Sequence, residues 1–165
     1  MNGIVIFGKE YAPNGQRKSA DAIQKKLDRI ANKSNGGERA RLHKEFLAEL
    51  LHKELVIIYA QILKESKIDV FGNLDFEVAA SIDKRLKRVA KLKENRIIVK
   101  LNAVALPERA LKYIVAHEMA HLITKKHGKK FWKVVESIYP AFGEGERLFI
   151  DNEEVLRIPL NRAIG

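Results

Sequence analysis

His117-Glu118-Met119-Ala120-His121-Leu122-Ile123-Thr124-Lys125-Lys126-His127 gathers three of the chain's five histidines into one short stretch, with Gly128 directly after it. His117 and His121 are four residues apart. On a helix that spacing is about one turn and 40° of rotation, so both imidazoles reach one point on the same face. Glu118 is turned by about 100° from His117 and stands beside that point rather than on it. His127 lies six residues beyond His121, about 9 Å of helical rise against zinc–nitrogen bonds of about 2.0 to 2.1 Å, so it joins the pair only if the helix breaks. Lys125-Lys126-His127-Gly128 is the expected place, since cations suit a helix C-terminus and glycine tolerates left-handed geometry.

Neutral imidazole is a good zinc ligand, and three protein ligands leave a fourth tetrahedral position for water, as in a catalytic site. A carboxylate beside such a water serves as general base. The expected site is therefore Zn²⁺ on His117, His121 and His127, with Glu118 catalytic. Glu136, Glu144 and Glu146 are the alternatives for the third ligand, because some zinc hydrolases take it from a downstream glutamate. The chain has no cysteine, which excludes disulfides and thiolate metal sites.

Working outward, Pro107 and Glu108 suit the first turn of a helix, and Leu111, Ile114, Val115, Leu122 and Ile123 keep its period. After Gly128, Phe131, Val134, Val135 and Ile138 describe a second amphipathic helix ending before Pro140. Upstream, Phe76, Val78, Ala80 and Ile82 alternate as in a half-buried strand. Leu86 to Leu92 and Arg96 to Leu101 read as an antiparallel hairpin turning at Lys93-Glu94-Asn95. Helices are expected over Gln16–Asn32 and Glu38–Lys64, the second burying Leu42, Phe46, Leu50, Val56 or Ile57, and Ile62. Arg147 to Ile158 reads as a terminal hairpin around Asp151-Asn152. The expected class is α+β: N-terminal helices, a small antiparallel sheet, and a metal-binding helix followed by another. Without a repeat or linker, residues 1–165 read as one domain, with a helical part over 1–70 and a core over 75–140.

Lys and Arg number 31 against 21 acidic residues, a formal charge of +10. That balance favours polyanions and keeps nucleic acid among the candidate partners, although a charge-rich solvated surface is the plainer account of it. Lys125, Lys126, Lys129, Lys130 and Lys133 surround the expected site. Lys84, Arg85, Lys87, Arg88, Lys91, Lys93, Arg96 and Lys100 form a second basic stretch without interleaved aromatics. Met1 to Gly8 is too short an apolar run for a signal peptide or a membrane span, so a cytoplasmic protein is expected.

Tyr113 and Tyr139 are candidate donors to a developing oxyanion, with core packing as the plainer role. Phe131 and Trp132 are expected to pack around His127. His43 and His52, nine apart, face opposite sides of a helix and cannot share a metal.

Three strings carry a resemblance: Arg96-Ile97-Ile98-Val99-Lys100-Leu101-Asn102, then Tyr113-Ile114-Val115 with His117-Glu118-Met119-Ala120-His121-Leu122, then His127-Gly128-Lys129-Lys130-Phe131-Trp132. Over roughly Asp75 to Pro140 the chain resembles the YgjP-like metallopeptidases, HExxH zincins, and their SprT-type relatives. The resemblance implies a zincin-like fold, zinc on His117, His121 and His127, a catalytic Glu118, and a peptide or protein substrate. Metzincins place glycine where Thr124 stands and need a downstream methionine, whereas Met1 and Met119 are the only methionines. YbeY-like proteins, linked to ribosomal RNA processing, share the histidine spacing but lack the glutamate. The alternative is a nucleic-acid-associated hydrolase, either an RNA endonuclease or a protease acting on DNA-bound proteins.

Overall fold

A computed structural model describes residues 3–11, 21–33, 35–66, 73–82 and 88–153. The chain opens with a hairpin of β1 (Ile4–Ile6) and β2 (Lys9–Tyr11), paired Ile4↔Tyr11 and Ile6↔Lys9. Its turn residues, Phe7 at φ 51° and Gly8 at φ 81°, both take the left-handed conformation that a two-residue hairpin turn demands. Phe7 and Gly8 donate their N–H groups to Val104 and Ala105 carbonyls, which docks the hairpin on the short 3₁₀ turn Leu101–Ala105. From sequence alone, Ile4 to Phe7 reads only as a short apolar run.

Helix α1 (Ala22–Ala31) starts at Asp21, whose carboxylate accepts from the Ile23 and Gln24 amides and from Lys9 and Tyr11 side chains. One cap thus fixes both a helix start and the hairpin beside it. The expected helical residues 16–20 lie outside the described residues. Helix α2 (Gly36–Glu65) begins on an Asn35 cap and buries His43, Leu47, Leu51, Leu55, Ile58 and Ile62. The expected stripe was Leu42, Phe46 and Leu50, one position off, with Val56 or Ile57 inside. Val56 and Ile57 are instead 46% and 42% exposed. Apolar residues surround much of α2, so period alone could not choose the face.

Strands β3 (Asp75–Ala79), β4 (Ala90–Lys93) and β5 (Arg96–Lys100) form a sheet in the order β3-β5-β4. The β4–β5 pair is the expected antiparallel hairpin, turning at Glu94-Asn95. β3 joins β5 in parallel, from Asp75↔Arg96 to Ala79↔Lys100, so this sheet is mixed. A two-residue period identifies a strand but not its partner. Residues 86 and 87, the start of the expected second strand, lie outside the described residues.

Helix α3 (Glu108–Ala120) follows Pro107, then come α4 (Lys129–Ile138) and α5 (Phe142–Asp151). α5 corrects the expected terminal hairpin: residues 147–151 are helical, and 154–158 lie outside the described residues. Gly143 and Gly145 had masked a helical spacing of Phe142, Leu148 and Phe149. Gly145 is there for contact, because a Cβ on it would stand 2.5 Å from the Arg109 carbonyl and 2.8 Å from Tyr113 Cβ. A single buried apolar cluster runs from Ile4 through α2, the sheet and α3 to Tyr139. Among the described residues, no helix is long and apolar enough to cross a membrane.

Candidate metal centre

The last turn of α3 carries His117 and Glu118, and His121 is its C-cap. The helix therefore ends before the expected break at Lys125–Gly128. Leu122 and Ile123 donate to carbonyls three residues back, tightening the chain out of the α-helix. Gly128 is the N-cap of α4 at φ −92°, so the turn uses no left-handed glycine. The connecting segment carries His127 back over the end of α3.

His127 Nε2 lies 3.3 Å from His117 Nε2 and 3.1 Å from His121 Nε2. Four tetrahedral bonds of about 2.0 to 2.1 Å would set neighbouring nitrogens about 3.3 to 3.4 Å apart, so this spacing suits one shared ion. The Nδ1–H of His121 donates to the Thr124 carbonyl at 3.2 Å, which leaves its Nε2 lone pair for the cluster. Three lone pairs converging on one point repel unless a cation lies among them. Burial first, then His121 and His127, press His117 down to about 4, so it is neutral near pH 7. His121 is lowered too, chiefly by burial. These three residues could hold a metal, and among the described residues they form the one such group.

Beneath them lies the ring of Phe131, fully buried, with its centre 4.7 to 4.9 Å from all three imidazole centres. Trp132 packs edge-on to Phe131 and stacks on Phe142 of α5.

Glu118 is 9% exposed and lines the same cavity, about 290 Å³, as the three histidines. Burial raises it to about 7, opposed by Arg88 and by a hydrogen bond from the Leu92 backbone N–H. That bond follows from the sheet register. Lys100 donates to the Val89 carbonyl, so Ala90 and Leu92 turn their backbone groups away from β5. β4 is an edge strand, and its outer edge meets α3 at Glu118. Arg88, Ala90, Tyr113 and Phe149 complete the wall.

The other candidate residues lie elsewhere. Glu144 pairs with Arg109 at 3.3 Å, and neither it nor Glu136 nor Glu146 belongs to the histidine group. Burial, reinforced by Glu146, holds Tyr113 above the usual phenol range. Tyr139 lies under the Lys112 ammonium, not on the cavity wall. His43 is buried and His52 exposed. Lys84, Arg85 and Lys87 lie outside the described residues, while Lys125, Lys126, Lys129, Lys130 and Lys133 are exposed around the loop that carries His127.

Phe131 packs on His127 as expected and reaches His117 and His121 as well, whereas the pairing of Leu92 with Glu118 left no signal in the sequence.

No curated protein and no solved structure matches the chain. The family model described as YgjP-like, metallopeptidase domain, matches residues 2–149, nearly the whole described chain and well beyond the stretch on which the resemblance rested. The chain belongs to the YgjP-like metallopeptidase family, a family of metal-dependent peptidases.

Proposed function

We propose that the chain is a zinc metallopeptidase acting as one cytoplasmic domain, with the ion on His117, His121 and His127 and Glu118 as general base. The observation that carries this is the convergence of three Nε2 atoms, those of His117 and His121 at 3.3 and 3.1 Å from that of His127, in a cavity that also holds a buried carboxylate. An all-imidazole, three-ligand set suits zinc, and zinc so held supplies an activated water and polarises a carbonyl. Glu118 then takes the proton released as that water attacks the peptide carbonyl, and delivers it to the leaving nitrogen. Leu92 and Arg88 hold its carboxylate in place and favour the charged form in which it can accept. The outward backbone groups at Ala90 offer an extended peptide a hydrogen-bonding edge next to Glu118.

The test is digestion of unfolded casein and of a structured RNA by zinc-loaded wild type and Glu118→Gln, each repeated with chelator. Casein cleavage that needs both zinc and Glu118 is the expected result. RNA cleavage without casein cleavage, persisting in Glu118→Gln, would replace this reading with the nuclease alternative.

A further inference from the structure

Strand β4 and helix α5 both pack on α3, and the cavity is the gap that they leave between them. The three histidines and Glu118 line one part of it. The rest of the wall is mostly apolar: Val89 and Ala90 from the β4 side, Tyr113 and Ile114 from α3, and Phe149 from α5. Ala90, Tyr113 and Ile114 are buried, whereas Val89 and Phe149 are only half-buried, so an apolar side chain stays partly uncovered on each side of the gap. The rings of Tyr113 and Phe149 have their centres 6.0 Å apart and their planes tilted by 43°. The zinc and Glu118 chemistry uses none of these side chains.

Tyr113 and Ile114 precede His117 and Glu118 by about one helical turn, roughly 6 Å of rise. An extended peptide advances about 3.3 Å per residue and turns alternate side chains to one face. A carbonyl held at the histidines therefore sets a side chain of an adjoining residue over the apolar wall. The cavity of about 290 Å³ has room for it, because the single water of the open zinc position needs only about 10 to 15 Å³.

The geometry points to this apolar wall as a specificity subsite for one large apolar side chain of the substrate, aromatic above all, at a residue adjoining the scissile bond. Val89 and Phe149 are its specificity-determining residues. An aromatic side chain there gains apolar burial and offset or edge contact with the Tyr113 and Phe149 rings. This deepens the peptidase reading and rests on it.

The experiment measures kcat/KM on zinc-loaded protein for a set of peptides capped at both ends, made of Gly, Ser and Thr around one Phe, Leu, Ala or Glu. Wild type, Phe149→Ala and Val89→Phe are assayed, with casein alongside and with zinc content measured in each. Wild type should cleave the Phe peptide about 10-fold faster than the Ala peptide, the lower end of what burying a Phe side chain is worth. Product masses show on which side of the cut the Phe lies. Phe149→Ala removes one side of the subsite and Val89→Phe fills it, so each should bring the ratio below about 3. Damage to the fold alone slows all the peptides alike and leaves the ratio unchanged, and the ratio is read in whichever variant keeps its zinc. A wild-type ratio near 1, a preference for Glu drawn by Arg88, or a ratio that survives in a zinc-retaining variant overturns the subsite and leaves the peptidase standing. Cleavage of casein without any of the peptides does the same. Zinc-loaded wild type that cleaves neither the peptides nor casein overturns both readings.

Discussion

The ring of Phe131 meets that of His127 almost at a right angle, with planes at 87° and centres 4.8 Å apart. His117 and His121 stand at 4.9 and 4.7 Å from the same ring. One residue of α4 therefore backs two imidazoles from α3 and one from the loop between the helices. His127 itself is exposed, and its ring contacts are with His117, His121 and Phe131.

Phe131→Leu should consequently weaken zinc more than it weakens the fold. The substitution keeps an apolar filler but loses the flat support, and losses in the supporting shell of a metal site typically cost about 10- to 100-fold in affinity. Competition with a chromogenic chelator measures this. Zinc affinity within about twofold of wild type would show that the ligand loop holds His127 unaided.

His127→Ala should reduce zinc retention as much as His121→Ala, with about one zinc per chain in wild type. Glu144→Ala and Glu146→Ala should retain it, since neither carboxylate belongs to the histidine group and Arg109 already engages Glu144. Metal analysis of the four variants decides between His127 and an acidic third ligand.

The site was legible in the sequence because four-residue spacing and helix geometry are local facts. His117, Glu118 and His121 need only one helix, and the rise of that helix showed that His127 required a break. The position of the break was less legible, since the chain leaves the helix by three-residue-back hydrogen bonds at Leu122 and Ile123 rather than at a marked breaker. Pairings across the fold left no local trace: β3 with β5, and Leu92 with Glu118. Gly145 actively misled, because its meaning lies in its contact with α3 and not in its own neighbourhood.

Gly145→Ala tests that last point. A methyl group there meets the backbone carbonyl of Arg109, which cannot rotate away as a side-chain tip could. Overpacking of this kind costs about 1 to 3 kcal/mol. It should also lower kcat/KM, because α5 carries Phe149 onto the cavity wall. An unchanged melting temperature would mean that α5 packs more loosely on α3 than the close approach implies.

Around the ligand loop, the exposed Lys125, Lys126, Lys129 and Lys130 should give salt-sensitive binding to nucleic acid if they act as one surface. Fluorescence anisotropy with a short duplex, at salt from about 50 to 200 mM, measures the slope. Replacing all four by Gln should flatten it. No binding at the lowest salt would mark the lysines as solvated helix-end charges.

Glu118 supplies the remaining prediction, through pH. Burial lifts its carboxyl from an ordinary 4.5 to about 7, so the metal-free fold favours the protonated form. A raised folded value means that this contribution is complete below about 4.5 and is lost as pH rises through 7. His117 runs the other way. With its folded value pressed to about 4, its contribution is present above the ordinary 6.5 and lost as pH falls through 4. Between these limits the two slopes oppose each other, and Glu118→Gln removes only the first. In chelator, the variant should match wild type near pH 4.5 and exceed it at pH 8 by something on the order of 3 kcal/mol. Denaturant titrations of both proteins at the two pH values give the difference. With zinc restored, the nearby dication favours the carboxylate and the gap should narrow. The same variant should keep its zinc while losing about 10² to 10⁴ in peptide cleavage, the usual worth of a general base. A variant less stable than wild type at pH 8 would show that the Leu92 hydrogen bond and Arg88 outweigh the cost of burying the charge.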